Sequence, residues 1–286
     1  MAEATEKAVC ELLADSLVAH GVSHLYGLVG DANLFMVDAY IRAGKGRYVA
    51  CNHEASSVLA AIGYAQVSGN IGVATVTHGP ALTNIITPLV EGVKGCIPLV
   101  VLVGDTPPHD LEHLQTVDQR ELIKATGAGF VEMRNPGTAM EDLARAFRLA
   151  AVERKPVVFN MRVDLMWEKA PAEKPPVRQA VSIRAVAPEG EMFDEALGMI
   201  ASAKRPLVLA GRGAIEPEAK AAILDLARRL EAPVATTLKA SGLFHGEPFN
   251  LGVFGTLSNP VGADTIMQSD VIIAFGASLS WLTTVS

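Results

Sequence analysis

Between Arg47 and Asn84 the chain reads RYVACNHEASSVLAAIGYAQVSGNIGVATVTHGPALTN, and this stretch concentrates the side chains best suited to chemistry. One apolar segment runs into His53-Glu54; a second runs into His78-Gly79-Pro80 and closes on Asn84. A carboxylate and an imidazole at two such turns can exchange protons or accept hydrogen bonds. If both segments are strands of one parallel sheet, both turns lie at its carboxyl edge, where ligands bind in such folds. Plainer accounts exist for each. An acid in the first turn of a helix is favoured by the helix dipole, and a turn histidine can be a satisfied structural residue. The residues alone leave both accounts open.

Other motifs are weaker. Gly27-Leu-Val-Gly30 and Gly211-Arg-Gly213 both follow apolar segments, but neither completes G-x-G-x-x-G, because Glu216 takes the third place of the second. Glycine at a strand-to-helix turn is also simply what tight backbone geometry requires. His109-Asp-Leu-Glu-His113 matches H-x-x-E-H, which on a helix would put two histidines on one face for zinc. Pro107 and Pro108 directly precede it and no third ligand stands out, so a solvated polar loop is the expected reading.

These residues need a scaffold, and the composition supplies one. Half of the 286 residues are hydrophobic and 19% are charged, enough for a sizeable core. The formal net charge of -7, with no basic stripe, argues against nucleic acid as a partner. Cys10, Cys51 and Cys96 are scattered and odd in number, as expected of free thiols in a reducing compartment such as the cytoplasm. The N-terminus reads as an amphipathic helix and not as a secretory signal. The longest apolar run, Cys96 to Val103, contains Pro98 and is too short to span a bilayer.

Periodicity predicts helices over 5–20, 33–43, 54–67, 83–93 and 138–152, and strands over 23–29, 48–51, 71–77, 97–103 and 156–163. Pro171, Pro175, Pro176 and Pro188 then break regular structure, so 171–188 is expected to link a first domain of residues 1–170 to a second of 189–286. The second domain alternates again, with strands over 206–210, 233–237 and 271–275. No helix is expected after its last strand, so it reads as incomplete. The fold class expected is α/β, with two doubly wound parallel-sheet domains.

The ordered set of motifs resembles the thiamine diphosphate-dependent enzymes of the acetolactate synthase and benzoylformate decarboxylase type. The matching features are Gly27-Leu-Val-Gly-Asp31, the His53-Glu54 turn with Ala61 to Gln66, and Thr77-His-Gly-Pro-Ala-Leu-Thr-Asn84. Ile97 to Gly104, Gln115-Thr-Val-Asp-Gln119, Arg205 to Ala214 and Asp270 to Leu279 complete it. The resemblance implies a pyrimidine-binding domain followed by a Rossmann-like central domain. It implies a carboligase, decarboxylase or lyase acting on a 2-oxo acid or related carbonyl compound.

It also implies residue roles. Glu54 would hydrogen-bond the aminopyrimidine N1′ of thiamine diphosphate and favour the imino tautomer, which removes the thiazolium C2 proton. Gly79, Pro80 and Asn84 would lie beside the pyrimidine, and Val29 and Gly30 would face the thiazolium and substrate. Gln115 would be a substrate-side amide, and His78 a proton donor or hydrogen-bond partner. The residues Ala55 to Tyr64 are expected to give Glu54 an apolar surround.

Two departures stand out. Ala81 replaces the second glycine of the family's Gly-Pro-Gly loop, and His78 stands where the synthases often have a small residue, which puts plain acetolactate synthesis in doubt. The family's Mg²⁺-binding Gly-Asp-Gly motif is also unmatched, since Gly104-Asp105-Thr106 lacks the second glycine. The chain is therefore expected to carry no metal ligands of its own. Diphosphate and Mg²⁺ would be held by a domain of a longer protein or of a separate subunit. Sites in this family form between subunits, so a homo-oligomer or such a partner is implied, without a membrane. Some relatives hold FAD in the central domain, near where Gly211 to Gly213 would be; an empty domain is expected here. Two other classes stay open: a non-catalytic binding or regulatory subunit of the same fold, and a flavin- or nicotinamide-binding protein.

Overall fold

The computed structural model describes residues 5–110, 112–177 and 186–284. The chain divides into two compact units, Met1–Ile183 and Arg184–Ser286. Both are α/β with parallel sheets.

The first unit opens with strand β1 (Glu6–Ala8), helix α1 (Val9–Ala19), β2 (His24–Gly27), α2 (Leu34–Arg42), β3 (Arg47–Ala50) and α3 (Glu54–Ser68). It continues through β4 (Gly72–Val76), α4 (Pro80–Thr83), α5 (Ile86–Lys94), β5 (Leu99–Asp105), α6 (Gln119–Thr126) and β6 (Gly129–Glu132). It closes with α7 (Ala139–Glu153), β7 (Pro156–Arg162) and β8 (Lys169–Pro171). Six parallel strands form one sheet in the order β3-β2-β4-β5-β7-β6.

Side chains alternate across this sheet. Val100 and Leu102 pack with Leu13, Tyr40 and Phe147 of α1, α2 and α7, while Leu99, Val101 and Val103 pack with Val58, Leu89 and Ile123 of α3, α5 and α6. Both faces are covered, which is why β5 reads as an unbroken apolar run and not as an alternating one.

Several expectations need correction. The helix expected from Thr5 starts at Val9. Glu6–Ala8 instead pairs antiparallel with Lys169–Pro171, of which only Pro171 falls in the stretch read as a linker. The carbonyls of Met166 and Glu168 accept from the N–H groups of Cys10 and Val9 at 3.1 and 3.0 Å, satisfying donors that a helix start leaves open. Pro171 is tolerated because it ends a short edge strand. Residues 178–185 of the expected linker lie outside the described residues. The helix expected over 83–93 is α5, starting at Ile86, and a further short helix, α4, lies largely in the turn before it; the edge strand β6 was not foreseen.

The second unit comprises α8 (Glu191–Ser202), β9 (Pro206–Ala210), α9 (Pro217–Arg229), β10 (Val234–Thr236), β11 (Asn250–Val253), α10 (Pro260–Gln268), β12 (Val271–Phe275) and α11 (Trp281–Thr284). Its four parallel strands run β11-β10-β9-β12. The sequence reading had three strands and no final helix. It missed β11, which lies in a glycine-punctuated stretch, and the single turn α11. Among the described residues no helix is long and apolar enough to cross a membrane.

Candidate functional site

In the first sheet the chain runs from β2 outward to β3 and returns past β2 to β4. The switch point therefore lies between β2 and β4, and a crevice outside their carboxyl ends is where this architecture takes ligands. The loop after β2 carries Val29, Gly30 and Asp31; the turn after β4 carries Thr77 to Pro80. Glu54 follows β3, one strand further out.

His53 caps α3: its Nδ1 accepts from the Ala55 N–H at 3.1 Å, which opens the helix directly at Glu54. Glu54 Oε2 accepts from Asn84 Nδ2 at 3.0 Å, joining two turns 30 residues apart. The expected apolar surround is only partly present. The buried face of α3, including Val58, Ala61 and Ile62, is turned to the sheet; Glu54 is half-buried, and Leu59 is 49% exposed.

Asn33 shapes the β2 loop. Fully buried, it accepts from the Gly30 N–H at 2.8 Å and donates to the Leu28 carbonyl and to Thr75 Oγ1. Gly30 lies so close to Thr77 that a Cβ would be 2.6 Å from the threonine Cβ. Val29 is 40% exposed at the loop's tip.

His78 is 1% exposed. Its Nδ1 lies 3.1 Å from Thr77 Oγ1 and 3.6 Å from Asp31 Oδ1, and its ring is 5.1 Å from that of His113. Burial pushes its pKa below the ordinary histidine value, and His113 adds to the drop; Asp31 and Asp105 oppose it. Asp31 sits below the ordinary aspartate value. Burial raises it, but the Thr77 hydroxyl, His78 and the Ala32 N–H outweigh that. One donor atom from each of Asp31, His78 and His113 lies within 4.8 Å of the others.

The described residues of the H-x-x-E-H segment, His109, Asp110, Glu112 and His113, are not helical. His109 and Glu112 are exposed, whereas His113 packs against His78 and its Nδ1 accepts from the Gln115 N–H at 3.2 Å. Gln115 covers the β4 turn with its main chain: a Cβ on Gly79 would be 2.0 Å from the Gln115 carbonyl oxygen. Pro80 and Asn84 are exposed beside it. Among the described residues, no hydrogen bond links the Glu54–Asn84 pair to the His78 group.

Gln119, to which neither spacing nor the family resemblance assigns a role, organises this edge. Only 3% exposed, it accepts from the Gly79 N–H at 2.9 Å and donates to the Gly104 carbonyl at 2.8 Å and to Asn160 Oδ1 at 2.7 Å. Asn160 in turn donates to Asp105 Oδ2 at 2.6 Å. One amide thus ties the turn after β4 to the ends of β5 and β7. A glutamine beside the Asp118 helix cap looks like ordinary first-turn polarity, so local pattern did not reveal it. Gln119→Leu is expected to cost roughly 2–4 kcal/mol, because buried donors and acceptors lose their partners. Urea unfolding measures the loss, and hydrogen exchange at the Gly79 amide should accelerate; unchanged exchange refutes the clamp.

A pH dependence follows as well. His20 also has its pKa lowered, by burial with the Ser16 carbonyl opposing. Groups depressed in the fold bind protons more readily when unfolded. Their contribution is fully present above the unfolded value near 6.5 and is lost as pH falls through it toward the lower folded values. Urea midpoints should fall from pH 7.5 to 5.5; a midpoint that rises over this interval contradicts the assignment.

In the second unit, Gly211 and Gly213 are consumed by packing. A Cβ on Gly211 would be 2.3 Å from the Gly276 carbonyl oxygen, and one on Gly213 3.0 Å from the Gly276 Cα. The adjoining hollow of about 430 Å³ is lined by small and apolar residues, among them Ala222, Ile223, Leu226 and Phe275.

Fold and site together define a doubly wound α/β protein whose candidate site lies at the carboxyl edge of its first sheet. Residues 7–122 match the thiamine pyrophosphate enzyme N-terminal TPP binding domain, and residues 193–286 match the central domain of the same enzymes. The chain belongs to the thiamine pyrophosphate enzyme family. It is 30% identical over 277 residues to an acetolactate synthase of Arthrospira platensis, covering 92% of this chain and 48% of the relative. It is 28% identical over 273 residues to a sulfoacetaldehyde acetyltransferase of Rhodobacter capsulatus, covering 94% and 46%. It is 30% identical over 258 residues to the acetolactate synthase large subunit of Corynebacterium glutamicum, covering 88% and 41%. The chain thus spans less than half the length of these curated relatives.

Proposed function

We propose that this chain is the pyrimidine-binding and central part of a thiamine diphosphate-dependent enzyme that makes or breaks a C–C bond next to the carbonyl of a 2-oxo acid or related compound. The observation that carries this reading is the Glu54–Asn84 pair at the carboxyl edge. Asn84 occupies one carboxylate oxygen at 3.0 Å, which orients the group while leaving Oε1 for a heterocyclic nitrogen. This donor set suits the aminopyrimidine of the cofactor. Bound there, the cofactor supplies a carbanion-forming thiazolium and an electron sink.

The chain's own residues then have defined tasks. Glu54 holds and returns the proton at the pyrimidine N1′. Asn84 orients that carboxylate, and the Gly79-Pro80 turn, clamped by Gln119, walls the ring. Val29 and Gly30 face the reacting end from a loop that Asn33 fixes. His78 and Gln115 lie on the substrate side. We assign diphosphate and Mg²⁺ to a domain outside this chain, whether on a longer polypeptide or a separate subunit, in a homo-oligomeric or mixed assembly in the cytoplasm. We assign no flavin to the central unit, whose turn glycines are already committed to packing.

Calorimetric titration of the assembled protein, with a diphosphate-binding domain present, tests the reading. Saturable uptake of thiamine diphosphate with Mg²⁺ is expected, and no uptake by the assembly would falsify it.

A further inference from the structure

The hydroxyl of Thr77 has a single hydrogen, and the geometry assigns it. Thr77 Oγ1 donates to Asp31 Oδ1 at 2.8 Å, and Asp31 Oδ1 is also held by the Ala32 N–H at 3.0 Å. The Thr77 oxygen can then only accept from the His78 Nδ1 that lies 3.1 Å away. A neutral imidazole has one N–H, so His78 carries it on Nδ1 and keeps its lone pair on Nε2. That Nε2 is buried and has no hydrogen-bond partner. A buried acceptor without a donor is costly in a finished fold, so a donor brought to this edge by a ligand would be favoured there.

We propose that Asp31 and Thr77 are positioning residues that hold His78 in the Nδ1–H tautomer, so that Nε2 acts as hydrogen-bond and proton acceptor for a hydroxyl group of the bound ligand. In the transfer step the ligand O–H bond breaks, its proton forms a bond to Nε2, and the electron pair stays on the ligand oxygen. The imidazolium formed faces the Asp31 carboxylate, 3.6 Å from Nδ1, and gives the proton back when the alkoxide is quenched. The charged or titratable groups facing His78 are Asp31, His113 and Asp105. His113 accepts at its own Nδ1 from the Gln115 N–H and so carries its proton on Nε2. That the hydroxyl belongs to a carbonyl-derived substrate rests on the function proposed above; the tautomer does not, and can be read without cofactor.

The test is two-bond ¹H–¹⁵N correlation spectroscopy of the ¹⁵N-labelled full chain near pH 8, with and without EDTA. The expected His78 pattern is a protonated Nδ1 and a bare Nε2, insensitive to EDTA. Thr77→Val keeps the volume that packs on Gly30 but removes the hydroxyl, so the Nδ1–H preference should be lost; Thr77→Ser should keep it. Asp31→Asn keeps an acceptor oxygen and removes the charge, so the tautomer should persist while the His78 titration midpoint falls. Three results would each overturn the proposal: an Nε2–H tautomer in the unaltered chain, a Thr77→Val spectrum with the tautomer unchanged, or an EDTA-sensitive Nε2 signal, which would make it a cation ligand. Failure of cofactor uptake with the expected tautomer intact would count against the proposed function alone.

Discussion

Glu54→Gln is expected to lower the turnover of the assembled enzyme by roughly 10²–10⁴-fold, the range for loss of a positioned acid–base group. The substitution is close to isosteric. The glutamine side-chain oxygen can still accept from Asn84 Nδ2, which Glu54 holds at 3.0 Å, so the turn-to-turn link survives. What disappears is the capacity to share a proton with a heterocyclic nitrogen. The loss should therefore fall on kcat, with thermal stability and cofactor uptake little changed. Steady-state kinetics beside a thermal scan separate the two effects. A variant that folds, takes up cofactor and turns over at the unaltered rate removes Glu54 from the mechanism.

Gly79→Ala is expected to destabilise the first unit by about 2–6 kcal/mol. Gly79 has φ 59 and ψ -113, a conformation that side chains avoid, and strain of this kind costs roughly 1–3 kcal/mol. The added Cβ would also sit 2.0 Å from the Gln115 carbonyl oxygen, and overpacking costs about 1–3 kcal/mol or more. For a unit of this size, Tm should fall by roughly 4–24 °C. Gly63→Ala is the control. Gly63 lies within α3 with nothing within 4 Å of its added Cβ, so Tm should hold or rise slightly. A Gly79→Ala chain melting with the unaltered protein would show that the Gln115 segment gives way instead, and that the turn is not held by its cover.

The two variants probe parts of the site that differ in how readable they were. Glu54 was legible because an acid following an apolar segment and opening an Ala-rich helix is a local pattern, and family resemblance then gave it a role. Gly79 was legible as a tight turn. Gln119, Asn33 and the Asp31–Thr77 link were not, because a buried polar side chain looks in sequence like any surface one. The solvated loop expected around His109 and His113 was legible from its two prolines, whereas the contact of His113 with His78 was not. The H-x-x-E-H spacing by itself would suit a common helical face, but Pro107 and Pro108 argue against a helix there. Strands β1, β6, β8 and β11 have three or four residues each, too few for a period to show, and they form through pairing with distant partners.

By itself the sequence determined the alternation of strand and helix and the α/β class. Central strands buried on both faces demand continuous apolar runs, and helices demand a 3.6-residue stripe; both are local and written in residue order. Tertiary structure alone decided that β2 lies between β3 and β4, which makes the switch point. It brought Asn84 to Glu54 across 30 residues, Thr77 to Asp31 across 46 and Gln119 to Gly79 across 40. The cause is physical. Which strand lies beside which follows from how the helices cover the two faces, and no local pattern carries that choice.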